Sequence, residues 1–103
     1  AMAYTNRGAA YDALGQIHRA IEDLDKAIQL DPNYAMAYNN SGYAYHELGQ
    51  HKQGIEDFDK AIQLDPDYDK AYMNRGLAYR ALGQYTLADA DKAKACSLDS
   101  FWC

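Results

Sequence analysis

Basic residues are in short supply in this sequence: ten Lys and Arg stand against fifteen Asp and Glu, a formal net charge of −5. Proteins that bind nucleic acid gather Lys and Arg on one face, and no such stripe is present, so a nucleic-acid partner is excluded. Long apolar runs are also missing. No stretch approaches the roughly 18 uninterrupted apolar residues that a membrane span requires, and no basic start leads into an apolar run as in a signal peptide. The three histidines, His18, His46 and His51, are scattered without Cys or carboxylate at metal-ligand spacing, which leaves no expected metal site. Phenylalanine occurs twice and tryptophan once, against ten tyrosines. These tyrosines are read as packing groups with a polar tip. Proline appears only at Pro32 and Pro66.

What the chain does have is repetition. Asn6, Asn40 and Asn74 recur every 34 residues inside AMAYTNRGAAY, AMAYNNSGYAY and DKAYMNRGLAY. The 103 residues are thus read as one domain (1–103) made of three units, 1–34, 35–68 and 69–103, the last with the character of a C-terminal cap. Ala1 to Tyr4 match Ala35 to Tyr38 letter for letter, so the chain starts in phase with its own repeat and is read as cut from a longer array.

Each unit carries two helical patterns. Tyr4, Gly8, Tyr11 and Leu14 recur at three- and four-residue steps, the spacing of one helix face, and Gly15 follows where a left-handed residue closes a helix. Ile17, Ala20, Ile21, Leu24, Ala27 and Ile28 then form a second apolar stripe, wide enough to face both its partner helix and the next unit. Asp31-Pro32 and Asp65-Pro66 end that helix, because proline lacks the backbone donor and disfavours helical geometry in the residue before it. Gly8, Gly42 and Gly76, with Ala20, Gly54 and Ala88, mark where paired helices must approach closely. The glycines imply packing and no phosphate-cradling loop, hence no cofactor. A period of 34 with two helices per unit is the pattern of an all-α solenoid.

These residues resemble the tetratricopeptide repeat family, whose pattern of aromatic, Gly, Tyr, Ala and Pro positions falls on Tyr4, Gly8, Tyr11, Ala20, Leu24, Ala27 and Pro32. It recurs at Tyr38, Gly42, Tyr45, Gly54, Phe58, Ala61 and Pro66, and then at Tyr72, Gly76, Tyr79, Ala88 and Ala95. The resemblance implies a right-handed α-solenoid of three antiparallel helix-turn-helix repeats. Arg7, Ser41 and Arg75 stand where the family usually has Leu, and the arginines are expected to lay their stems on apolar surface with heads in solvent. In the third unit Asp89 and Lys92 replace apolar residues and Ser100 replaces the proline. Polar groups on that face suit a terminal repeat.

Nothing points to an enzyme. Glu22, Asp23, Asp25, Glu56, Asp57 and Asp59 are expected on a solvated outer face where nothing would raise a carboxyl for acid-base work. Ser41, Ser97 and Ser100 lack a matching His and Asp. The resemblance instead implies a protein-protein interaction module whose first helices line a concave groove. There Met2, Thr5 and Asn6 come from the first unit, accompanied by Asp12. Met36, Asn39, Asn40 and Tyr43 come from the second, accompanied by His46 and Glu47, and Lys70, Met73, Asn74, Leu77 and Arg80 from the third. Methionine and tyrosine offer deformable apolar contact, and Asn amides both donate and accept, so an extended peptide or partner protein is the expected ligand. Of the family positions that clamp a chaperone tail carboxylate, here Thr5, Ala9, Asn40, Lys70 and Asn74, only Asn40 and Lys70 agree, which argues against that ligand. Two other readings stand beside this one: a homo-oligomer stacked through the uncovered edge at Met2, Tyr4 and Tyr11, and a targeting arm of a larger protein.

Cys96 and Cys103 are too far apart to bridge along one straight helix, yet a bend at Asp99-Ser100 would bring them together, as in cysteine-rich relatives of these repeats. Two readings remain open. Free thiols suit a cytoplasmic home, and a bridge suits a periplasmic or secreted one.

Overall fold

In the computed structural model, which describes residues 1–103, six α-helices form three hairpins: α1 (Met2–Ala13) with α2 (Ile17–Leu30), α3 (Ala35–Glu47) with α4 (His51–Leu64), and α5 (Asp69–Ala81) with α6 (Tyr85–Leu98). A short 3-10 turn (Ser100–Trp102) follows. The chain is an all-α solenoid. Each second helix packs on the first helix of the next hairpin, and α1, α3 and α5 also touch one another in sequence. The first helices therefore form one closely spaced layer, and the concave side is theirs.

Every first helix ends in the same way. Gly15, Gly49 and Gly83 have φ of 79°, 82° and 78°, the left-handed region that glycine enters without steric cost. Gln16 N donates to Tyr11 O at 2.8 Å and Gly15 N to Asp12 O at 3.0 Å, the paired bonds of a Schellman closure. Gln50 and Gln84 repeat them. Second helices end at Asp31, Asp65 and Asp99, whose side chains accept from the backbone N–H two residues on. Ser100 thus leaves the third turn intact despite lacking proline's ring. Trp102, in the register of Tyr34 and Tyr68, donates from Nε1 to Asp69 Oδ2 at 2.7 Å, and Cys103 is bridged to Cys96 with Cα atoms 4.8 Å apart. The tail folds back on the last hairpin.

Within hairpins the helices nearly touch. A Cβ placed on Gly42 would lie 2.7 Å from Phe58 Cε1 and 2.8 Å from Gly54 O, and one on Gly54 would lie 2.7 Å from Gly42 O. Gly8 is nearly as tight against Leu24, at 2.9 Å, whereas a Cβ on Gly76 would meet nothing nearer than Ala88 O at 3.2 Å. Around these contacts the core consists of Leu24, Phe58 and alanines from all three units, including Ala37, Ala44, Ala71 and Ala78.

Of the carboxylates expected on a solvated face, Glu22, Asp25, Glu56 and Asp59 are exposed, whereas Asp23 is buried and Asp57 half-buried. Asp23 and Asp91 are 4 % exposed, and each takes two hydrogen bonds from the arginine sixteen residues earlier: Arg7 to Asp23, both 2.8 Å, and Arg75 to Asp91, 2.9 and 2.7 Å. Arg75 also reaches back to Asp59 at 3.0 Å, and its guanidinium lies over the rings of Tyr72 and Tyr79. Both arginine heads are anchored by carboxylates; Arg7 still faces solvent as expected, whereas Arg75 is largely shielded. Bidentate geometry of this kind is what a guanidinium offers a carboxylate. Hydrogen bonds from Arg7 hold the Asp23 carboxyl below its ordinary range, against the push of burial.

The middle unit lacks the cation. Ser41 occupies the arginine's place, flanked at the same intervals by Asp57 and Asp25, and only its hydroxyl donates to Asp57 Oδ2, at 2.8 Å. Burial pushes the Asp57 carboxyl up to about 6, the Ser41 bond opposes this, and the charge of Asp25 adds to it.

Three outcomes follow from this packing. Gly42→Ala should destabilise by about 1–3 kcal/mol through overpacking, and Gly76→Ala by clearly less. Equal losses in thermal melts would contradict the contact distances. Because the folded state favours protonated Asp57, its contribution to stability is present below the ordinary carboxylate range and is lost as pH rises through about 6. Ser41→Arg should remove that slope between pH 4 and 6.5 and raise the neutral-pH Tm by about 2–5 °C, and an unchanged slope would refute the pairing. Under air the denatured chain should show no titratable thiol, and reduction should cost about 2 kcal/mol for so short a loop, read as a shift in the urea midpoint.

Candidate functional site

The inner layer carries a concavity of about 330 Å³ that opens where α1, α3 and α5 converge. Ala9 and Asp12 line it from α1, Asn39, Asn40 and Tyr43 from α3, and Lys70 and Asn74 from α5, with Leu24 of α2 at its base. The packing explains why such a space exists. First helices give their small residues to the hairpin contacts, so their opposite side is left to point into the concavity.

The residues singled out in the sequence divide into three groups. Asn40, Tyr43, Lys70 and Asn74 line the concavity together. Met2, at 64 % exposure, Met36 and Leu77 are exposed apolar side chains, and Asn6 and Arg80 are exposed as well. Met73, Leu77 and Arg80 share a smaller hollow of about 40 Å³. Thr5 and Asn39 are buried. Thr5 is completely buried, its hydroxyl donating to Ala1 O at 2.9 Å, so it offers nothing to a ligand. Asn39 is also buried. Its amide donates to Tyr68 Oη at 3.4 Å and accepts from Asn74 Nδ2 at 3.1 Å, so it forms a strut between α3 and α5 at the floor of the concavity. Thr5 is thus misplaced and Asn39 is a floor residue already engaged by protein partners, for one reason: a 34-residue repeat gives the register along a helix without saying which neighbour covers each register.

The asparagine ladder is accordingly uneven. Asn74 is held by Asn39, whereas Asn40 lines the open space with its amide free of protein partners. A peptide backbone is satisfied by such a group, because it pairs a donor with an acceptor. Lys70 lies exposed at the α5 side.

Two titratable pairs form here that the sequence did not announce as pairs. Asp12, one residue before the end of α1, and Glu47, the last residue of α3, come within hydrogen-bonding reach. The Glu47 carboxyl is pushed up to about 7, first by burial and then by the bond to Asp12 and its charge. Asp12 Oδ1 is shielded from solvent, and a protonated Glu47 is the donor that reaches this carboxyl. Across the Leu48-Gly49-Gln50 turn, His46 Nδ1 and His51 Nδ1 lie 2.7 Å apart, and burial, with the charge of His51, lowers the His46 pKa. The one signal for either pair was position: Asp12, His46 and Arg80 share a register near the ends of their helices.

Comparison with known proteins agrees with this architecture. Family profiles described as tetratricopeptide repeat or TPR repeat match residues 1–34, 24–56, 42–83 and 69–101. No curated protein sequence matches the chain. Among solved structures, the second TPR of Spaghetti (RPAP3) bound to the HSP90 peptide SRMEEVD is 30% identical with a TM-score of 0.91, covering 95% of this chain and 91% of that one. The Arabidopsis OM64 TPR domain is 31% identical with a TM-score of 0.94, covering 97% of this chain and 83% of that one. The second TPR domain of human RPAP3 in complex with the HSP70 peptide SGPTIEEVD is 30% identical with a TM-score of 0.90, over 97% and 83%. With that identity carried across nearly its whole length by the same stacked hairpins, the chain belongs to the tetratricopeptide repeat family.

Proposed function

We propose that the chain holds an extended segment of a partner protein in the concavity of its first helices and performs no chemistry of its own. The observation that carries this reading is the convergence of Asn40, Tyr43 and Lys70 on one open space in the inner layer. These groups grip a backbone, stack against a side chain and attract a carboxylate, respectively. The similar structures lend support, since two of them hold peptides, SRMEEVD and SGPTIEEVD. The ligand of this chain differs from those acidic tails. Three of the five clamp positions hold Thr5, Ala9 and Asn74, Thr5 is buried, and Asp12 puts a carboxyl in the same space. A groove that adds negative charge and omits positive charge discriminates against an acidic tail by repulsion as well as by lost contacts. The Cys96–Cys103 bridge suits an oxidising compartment, where such bonds persist.

The test compares two sets of variants on the immobilised protein. Asn40→Ala with Tyr43→Ala and Lys70→Ala should abolish partner capture, while Glu22→Lys with Glu56→Lys, on the outer helices, should leave it intact. The single Asn40→Ala change should cost about 1 kcal/mol of binding, the net loss for a removed hydrogen bond. SRMEEVD itself should bind with Kd weaker than about 1 mM. Capture that survives the groove variant and fails with the outer one would move the interface off the concave face.

A further inference from the structure

We propose that the outer edge of α1 is a second docking surface, separate from the groove, which takes one amphipathic helix of a partner protein carrying the pattern Ile-x3-Asp-x2-Ile, with the aspartate seated on Arg7. Ala3, Arg7, Ala10 and Leu14 follow one another at steps of four, three and four residues, which puts them on one face of α1 and its C-terminal cap. The residues 34 and 68 positions later form the same face on α3 and α5. There the alanines, Ala37, Ala44, Ala71 and Ala78, are completely buried, and the leucines, Leu48 and Leu82, are half-buried, with α2 packed on α3 and α4 on α5. On α1 the matching Ala3 and Ala10 are exposed, Leu14 is 72 % exposed, and a hollow of about 320 Å³ opens beside Ala3, Tyr4 and Arg7. An interface that the molecule makes twice internally is thus present a third time as open surface.

The charges specify what sits there. Arg75 divides its guanidinium between two helices: Nε and Nη2 donate to Asp91 of its own hairpin, and Nη1 donates to Asp59 of α4 at 3.0 Å. Arg7 makes the first pair of bonds through the same atoms, to Asp23. Its Nη1 meets no carboxylate, and more than half of its side chain is exposed against a fifth for Arg75. A helix covering α1 as α4 covers α5 completes that guanidinium with a charge-assisted bond. On α4 the aspartate stands between Ile55 and Ile62, four residues after one and three before the other, so all three share a face; Ile21, Asp25 and Ile28 repeat the arrangement on α2. Arg19 and Lys26 of α2 lie over the rings of Tyr11 and Tyr4. They give the edge a positive rim on a chain that is otherwise acidic, and acidic partners are drawn to such a rim.

A second copy of this chain does not supply the pattern. Its last helix, α6, has Asp89, Ala93 and Cys96 where α4 has Ile55, Asp59 and Ile62, and Cys96 is tied to Cys103. That face offers a carboxylate where an isoleucine is needed and none where Arg7 requires one. Setting two α1 faces together instead opposes two Arg7 side chains, a like-charge contact that costs energy. The occupant is therefore a helix whose apolar stripe and single acid match α2 and α4, and whose surface is not already committed within this stack.

The experiment titrates the intact, oxidised protein with a peptide copying His51–Leu64, held helical by a side-chain lactam so that the cost of nucleating a short helix does not decide the result. Nuclear magnetic resonance reads the site. The peptide should shift Ala3, Ala10 and Leu14, and the same peptide with Asp59→Lys should bind about tenfold more weakly, the scale for removing one partner of a close charge pair. In the protein, Ala3→Glu places a carboxylate four residues before Arg7 on the same face, so it obstructs the edge and occupies the arginine at once. It should leave the melting temperature unchanged, since Ala3 is exposed, and weaken the peptide by about tenfold. The groove variant with Asn40→Ala, Tyr43→Ala and Lys70→Ala should bind the peptide as the parent does. Binding weaker than about 1 mM, binding indifferent to Asp59→Lys and Ala3→Glu, or binding lost with the groove variant would each overturn the proposal. So would self-association of the protein alone in sedimentation that Ala3→Glu abolishes, because the edge would then belong to a second copy.

Discussion

The contact on which the molecule depends is the close approach of two helices at a glycine. At Gly42 the facing atoms belong to Phe58 and to the backbone oxygen of Gly54, all within a distance that no Cβ tolerates. This spacing lets a large side chain of the second helix lie across the first helix's backbone. It fills the hairpin interior without demanding apolar bulk from both sides. The core accordingly pairs Leu24 or Phe58 from the second helices with alanines from the first. Solenoid stability accumulates from each hairpin and each interface with its neighbour, and the first two hairpins share this arrangement, whereas α6 buries Ala88, Asp91 and Ala95 in its place.

The repeats are not equivalent, and the inequality is electrostatic. Arg75 joins three helices by reaching Asp91 on α6 and Asp59 on α4, and it is correspondingly shielded, with 20% of its side chain exposed against 56% for Arg7. Ser41 gives Asp57 of the middle hairpin only a hydroxyl and leaves Asp25 of the first without a partner at that place. At the far end the apolar stripe gives way to Asp89 and Lys92, both exposed. There the bridge to Cys103 and the Trp102–Asp69 hydrogen bond tie the tail back onto the last hairpin.

The fold was legible because its determinants are local. The positive φ of Gly15, Gly49 and Gly83 and the turns begun by Asp31, Asp65 and Asp99 act within a few residues of themselves, and a single sequence displays them three times. The site was legible in part. Asn40, Tyr43 and Lys70 could be placed on the inner face of their helices by periodicity, whereas Thr5 and Asn39, which share a register of their own, are covered by neighbours. The Arg7–Asp23 pair escaped notice because its partners stand sixteen residues apart on different helices, where neither a helical period nor a charge run links them. The Asp12–Glu47 and His46–His51 pairs depend on how adjacent helices align, and no spacing rule encodes that.

This division of labour has a consequence for how the groove can vary. Since the second helices carry the bulky core residues and the first helices contribute mainly glycine and alanine to the hairpin contact, the remaining face of each first helix is nearly free of packing duty. Residues on that face can change charge without moving the backbone, as the Asp12, His46, Arg80 series shows within a single chain. An acidic residue at the end of α1 and a basic one at the end of α5 are then compatible with one scaffold, and the sign of the groove becomes a property of three or four side chains. A change of ligand in such a stack requires new charges on a frame that stays put, which is why this chain can share its fold with binders of acidic tails while carrying a carboxyl in the middle of the same concavity.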